Sequence, residues 1–175
     1  MFGYKDSSIN IYIVDDDVLL LKILENKFKK STGYNIYTFT SGEDFLHFYI
    51  SNPVKKSHIQ IVLLDYNLST MDSHTKDGIE ILKYIKEISR KVEVIVLSGY
   101  ATELISDKMM RLGAAACIKK NENSHIRIQN TIKWIISEQL IKDKKKQSKI
   151  TFVIFAVILF AIVLTAIFNV LDIAI

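Results

Sequence analysis

The stretch Ile61-Val62-Leu63-Leu64-Asp65 constrains the chain most: four apolar residues closed by one carboxylate, followed by Tyr66-Asn67-Leu68. A short run that is apolar at every position fits a strand buried on both faces, as in a parallel sheet, rather than an amphipathic element. Such a strand delivers Asp65 to its C-terminal edge, where open α/β sheets carry their ligand sites. Taken alone, a strand-end aspartate is more often a turn former. Three other strand ends in this chain carry complementary groups, and Asp65 is read with them as the reactive residue.

The elements around it alternate. Asn10 to Val14 is apolar and stops at Asp15-Asp16-Asp17, after which Leu20, Leu21, Ile23, Leu24 and Phe28 recur at helical spacing. Lys29-Lys30 suits the end of that helix and Gly33 is read as its stop. Tyr34 to Phe39 predicts a second strand, and Ser41-Gly42-Glu43-Asp44 opens a short helix that ends at Asn52-Pro53. After Asp65 comes a polar loop, Ser69 to Lys76, then Asp77-Gly78 and a helix expected to turn Ile79, Leu82, Ile85 and Ile88 inward. Val92 to Leu97 is the fourth strand, ending at Ser98-Gly99. A helix from Thr102 to Leu112 is stopped by Gly113, Ala115 to Ile118 forms a last strand before Lys119-Lys120, and a helix follows from Ser124 through Leu140. Five strands alternating with five helices predict an α/β doubly wound parallel sheet with right-handed crossovers.

The chain has 175 residues, enough for one core of ordinary size plus an appendage. Lys and Arg number 23 against 19 acids, a net charge of +4, and much of the excess is local: Lys142, Lys144, Lys145, Lys146 and Lys149 fall together. One cysteine, Cys117, excludes an intramolecular disulfide. The first residues, Met1 to Asp6, lack the basic start and apolar run of a cleavable signal. The four histidines, His47, His58, His74 and His125, share no metal-ligand spacing and are read as surface or loop residues.

Three carboxylates at one strand end repel one another and are best tolerated beside a hard divalent cation, for which Mg²⁺ is the natural candidate; one of Asp16 and Asp17 is expected to cap the first helix instead. Ser98 presents a hydroxyl at the same edge, and a lysine leaving the last strand can pair with Asp65 or with a phosphoryl group on it.

These motifs, in order Ile11-Tyr12-Ile13-Val14-Asp15-Asp16-Asp17, Ile61 to Leu68 with Met71-Asp72 and Asp77-Gly78 behind it, Val94-Ile95-Val96-Leu97-Ser98-Gly99 and Gly113 to Lys120, make residues 9 to 140 resemble a two-component response-regulator receiver domain. The resemblance implies a flavodoxin-like sheet of strand order 2-1-3-4-5. It implies Asp65 as phosphoacceptor, Mg²⁺ held by Asp15, Asp16, Asp65 and the backbone carbonyl of Asn67, and Ser98 as the hydroxyl that follows the phosphoryl group. Lys120 takes the family's lysine position, and Lys119, one residue earlier, should face away. Implied partners are a histidine kinase or a histidine phosphotransfer protein, and implied chemistry is self-catalysed phosphotransfer and dephosphorylation rather than turnover of a separate substrate.

The chain departs from the family pattern in four places. Asn121 stands where a proline usually follows the lysine, Cys117 where a Tyr or Phe usually lies, and the segment 68–78 is longer than the usual turn. Tyr100 sits where it is expected to screen the acyl phosphate from water and slow its hydrolysis. The residues Thr102 to Ala116 are the expected output face.

Ile150 to Leu171 is about 22 residues with only Thr151, Thr165 and Asn169 as polar interruptions, against the roughly 20 needed to span a bilayer. It predicts a transmembrane helix over 150–172, joined to a receiver over 8–141 by a basic linker over 142–149. The lysines keep the receiver cytoplasmic by the positive-inside rule, at the cell membrane. Trp134, on the last receiver helix before the lysines, is read as a packing residue rather than an interfacial anchor. No nucleic-acid recognition element follows, so output would pass through a protein partner or through lateral pairing by the fourth helix or the tail. Two other readings compete. One is a phosphate-independent, membrane-anchored docking module; the other is a haloacid-dehalogenase-like phosphatase using Asp15-x-Asp17, Ser98 and Lys120, which lacks a second acidic pair after the lysine.

Overall fold

The computed structural model describes residues 8–53, 58–68, 78–100 and 102–173, without the side chains of 163 and 166–173. Five strands and five helices alternate: β1 Ile9–Val14, α1 Val18–Ser31, β2 Asn35–Phe39, α2 Gly42–Ser51, β3 Ile59–Asp65, α3 Gly78–Ile88, β4 Glu93–Ser98, α4 Glu103–Arg111, β5 Ala116–Lys119 and α5 Ser124–Ile173. All strand pairs are parallel, in the order β2-β1-β3-β4-β5, so the expected flavodoxin-like sheet is present. The chain divides into two compact units, one through Ile136 and one from Ser137.

β1, β3 and β4 are central strands covered on both faces, which explains why their sequences are apolar throughout. Ile11, Ile13, Ile61, Leu63 and Ile95 fill one face, and Tyr12, Val14, Val62, Leu64, Val94 and Val96 the other; all are essentially inaccessible. The second face packs on Phe45 and Leu46 of α2, on Ile81, Leu82 and Ile85 of α3, and on Met109 of α4. Beneath β1 and β2 the apolar contact is aromatic: Tyr12 stacks on Tyr37 at 5.4 Å between ring centroids, and Phe45, Phe48 and Tyr49 surround the pair. Burial raises the Tyr12 hydroxyl pKa to about 12, against the lowering effect of its hydrogen bond with Asn10.

Several expected details change. α1 stops at Ser31 not through a left-handed Gly33 but because the Ser31 and Thr32 hydroxyls donate back to the carbonyls of Lys27 and Phe28; Gly113, after α4, is the one described glycine with positive φ, at 96°. In α3 the inward face is Ile81, Leu82 and Ile85, while Ile88, at the last turn, is exposed. Trp134 does not face the core: Ile128, Ile132, Ile135 and Ile136 take the buried side of α5 and leave the indole 56 % exposed.

The lysine-rich stretch expected to be a linker is helical, part of α5. The transmembrane span expected over 150–172 is not found: among the described residues no helix is long and apolar enough to cross a membrane. The loop 69–77, with Met71, Asp72, His74 and Asp77, lies outside the described residues.

Candidate functional site

The site is assembled where β1, β3, β4 and β5 end. Ladder bonds run past the strand termini and fix the groups beyond them: the Asp15 amide donates to the Phe39 carbonyl, the Tyr66 amide to Leu97, and the Lys120 amide to Ser98 at 2.8 Å. Parallel pairing with one register therefore brings residues 15, 65, 98 and 120 to a single edge, although they are far apart in sequence.

Of the acidic triplet, Asp17 is the helix cap: its carboxylate accepts from the amides of Leu19 and Leu20 at 2.9 and 3.1 Å. Asp15, Asp16 and Asp65 remain, and one oxygen from each lies within 4.8 Å of the others. Asp15 and Asp65 are buried, Asp16 outermost. The phosphatase-like reading needs Asp17 in the site; its capping role turns it toward the α1 backbone instead.

Lys120 neutralises the two buried acids. Its Nζ is 2.7 Å from Asp15 Oδ2 and 3.0 Å from Asp65 Oδ1. Burial works against the ammonium charge, but hydrogen bonds and attraction from both carboxylates outweigh it and raise its pKa above lysine's ordinary value. Lys119, one residue earlier, is exposed, as alternation along β5 dictates. Asp15 is pulled both ways, with burial and the neighbouring Asp65 raising its carboxyl pKa and Lys120 lowering it; the net shift is upward, with burial the largest cause. Its Oδ1 accepts from the Asp17 amide at 3.0 Å, whereas Oδ2 has the Lys120 ammonium at 2.7 Å as its partner.

The chemistry of the donor set tests the expectation of a cation. Three carboxylates that each offer one oxygen within 4.8 Å of the others, with no sulfur or imidazole in the group, are a hard-oxygen donor set, suited to Mg²⁺ rather than to a softer metal. The residues fit. Asn67, whose carbonyl the resemblance adds to the set, is exposed in the bend directly after β3.

Ser98 closes β4, is wholly buried, and its Oγ accepts from the Tyr100 amide at 3.3 Å. Tyr100 itself is 79 % exposed. Thr102 caps α4 by accepting from the Ile105 amide, and the exposed Leu104 lies in the first turn of that helix. Cys117 is half-buried against the second sheet face; burial raises its thiol pKa while Ser106 and Arg127 oppose the rise. The residue not recognised from sequence as part of the site is Gly78. A β-carbon there would collide with the backbone carbonyls of Asp65 and Tyr66, so its lack of a side chain lets the start of α3 lie directly against the Asp65 edge.

Comparison with known proteins agrees with this arrangement. A family model described as "Response regulator receiver domain" matches residues 11–133. The response regulator protein TodT of Pseudomonas putida is 28% identical over 110 residues, and the match spans 63% of this chain but 44%, less than half, of that protein. Sporulation initiation phosphotransferase F of Bacillus subtilis is 33% identical over 104 residues, covering 59% of this chain and 75% of that one. Among solved structures, the CheX-CheY-BeF3-Mg²⁺ complex from Borrelia burgdorferi matches with TM-score 0.57 and 28% identity over 71% of this chain and 86% of that one. A CheY-like receiver domain from Methanospirillum hungatei, at 24% identity, shares the fold with TM-score 0.64 over 76% and 97% of the two chains. With this sheet order, this acidic edge and this family match, the chain belongs to the response regulator receiver domain family.

Proposed function

We propose that this chain is a phosphorylation-driven signalling module in which Asp65 accepts a phosphoryl group from a histidine kinase or a histidine phosphotransfer protein. The observation that carries the reading is the single ammonium of Lys120 held between Asp15 and Asp65 at the sheet edge, with Asp16 beside them. In the reaction one Asp65 oxygen forms a bond to phosphorus as the bond from phosphorus to the donor nitrogen breaks. Asp65 is fixed by β3 and by the close approach of Gly78, so the nucleophile is held in place. Lys120 offsets negative charge gathering on the phosphoryl oxygens, and the Ser98 hydroxyl, at the end of β4, is placed to donate to one of them. Mg²⁺, when bound by Asp15, Asp16, Asp65 and the Asn67 carbonyl, supplies charge neutralisation at those oxygens. Drawing Ser98 toward the new group shifts the population of conformers at α4, the proposed output face.

Incubating the chain with acetyl phosphate and Mg²⁺ tests this. Phosphate on the peptide containing Asp65, and none in Asp65→Asn, is expected; an undiminished phosphate load in Asp65→Asn would overturn it.

The tail is the second part of the reading: Ile150 to Leu171 tethers the receiver to the cell membrane with the receiver on the cytoplasmic side. Its support is exposed apolar surface on successive sides of the helix, since consecutive residues Phe152, Val153, Ile154 and Phe155 are 72, 59, 54 and 63 % exposed. Carbonate-resistant membrane association, lost on truncation before Ile150, is the expected result; an equal distribution of both chains would contradict it.

A further inference from the structure

The lysines before the tail are not scattered around α5. Lys142, Lys145, Lys146 and Lys149 stand at i, i+3, i+4 and i+7, the spacing of one helical face, and all four are exposed. Glu138 begins the same stripe and is tied up with Lys142 at 2.8 Å; Asp143 lies off that face, as does Lys144. The stripe runs directly into exposed apolar side chains, beginning with Ile150 and Phe152. A cationic face continuous along one helix with an apolar segment matches a surface whose outer layer is anionic and whose interior is hydrocarbon.

We infer that the face formed by Lys142, Lys145, Lys146 and Lys149 binds anionic lipid headgroups and selects negatively charged bilayers over neutral ones. This rests on the reading of the tail as a membrane tether and adds lipid selectivity to it. Lysines used only to hold orientation could lie anywhere around the helix, because that rule counts charge and not direction. A one-sided stripe instead lets four ammonium groups reach the same headgroup layer, and the side chains are long enough to extend along the surface while their stems stay against apolar groups.

The full chain, delivered from detergent to phosphatidylcholine vesicles or to vesicles with one third phosphatidylglycerol, is separated by flotation. Each lysine near an anionic surface is worth about fivefold in partitioning at low salt, so with Glu138 offsetting Lys142 the face gives a preference of about a hundredfold for the anionic vesicles. Replacing the four lysines by glutamine should abolish the preference and leave binding to neutral vesicles unchanged, as should moderate salt. Equal wild-type binding to both vesicles would overturn the inference while leaving the tether intact; failure to bind either would overturn both. Retention of the preference by the four-glutamine chain, or tighter stripe-dependent binding to a DNA duplex than to the anionic vesicles, would also overturn it.

Discussion

Replacing Asp15 by Asn should make the receiver more stable in the absence of Mg²⁺, although it removes an ion pair. Asp15 and Asp65 offer oxygens within 4.8 Å of each other, and at an effective dielectric of about 20 two like charges at that distance repel by about 3.5 kcal/mol. Attraction to Lys120 at 2.7 Å is worth about 6 kcal/mol on the same scale. Against it stands the loss of hydration of a wholly buried carboxylate, which costs several kcal/mol. The raised pKa of Asp15 says that burial and repulsion together prevail over Lys120. Lys120 keeps Asp65 as its partner in Asp15→Asn, so no unpaired charge is left behind. A net gain in stability follows, read as a higher denaturation midpoint and melting temperature for Asp15→Asn than for the parent in EDTA. The pH dependence has a definite sign. With the folded pKa above the unfolded one, the contribution of Asp15 is most favourable below its unfolded value, near 3.8, and is lost as pH rises through the folded value. The advantage of Asp15→Asn therefore grows above about pH 4 and then levels off. Mg²⁺ at ten times its dissociation constant should stabilise the parent by about 1.4 kcal/mol and the variant much less, closing the gap. Urea denaturation of a fragment ending before Ile150, at pH 4 and pH 7 with EDTA or Mg²⁺, measures all four values. A variant less stable than the parent at pH 7 in EDTA would refute the electrostatic account.

Three further outcomes are expected. Lys120→Met leaves two buried carboxylates without their cation and should cost about 3–5 kcal/mol in EDTA, with part of the loss recovered on adding Mg²⁺; a loss insensitive to Mg²⁺ in urea denaturation would contradict the shared site. Gly78→Ala drives a methyl group into the Asp65 and Tyr66 carbonyls and should cost about 1–3 kcal/mol while slowing phosphorylation by acetyl phosphate; unaltered stability and rate would show that α3 can shift freely. Tyr100→Ala opens the approach beside Ser98 and should speed loss of phosphate several-fold, and an unchanged dephosphorylation rate would remove Tyr100 from the account.

Much of the sheet was legible because central parallel strands have no solvent face, so β1, β3 and β4 appear as unbroken apolar runs whose ends announce the site. The acids, Ser98 and Lys120 were readable as strand-end residues for the same reason. Helix faces were less legible: in α3 the isoleucines recur so often that two spacings fit, and only contact with Phe45, Val62 and Val94 selects Ile81 over Ile88. Gly78 was hidden because a glycine before a helix looks like a turn residue, and its role depends on a backbone approach from β3 that no local pattern encodes. The division of labour in the acidic triplet came only from the family resemblance, since strand and helix patterns alone let either Asp16 or Asp17 cap α1.

The most direct test of the central claim is an amide NMR titration of the fragment ending before Ile150 with Mg²⁺ and then beryllofluoride, a mimic of the phosphoryl group, with Asp65→Asn as control. Saturable, Mg²⁺-dependent shifts are expected at Asp15, Asp65, Ser98 and Lys120, spreading to α4 and absent in Asp65→Asn. Shifts that persist in Asp65→Asn, or no binding at millimolar Mg²⁺, would contradict that claim.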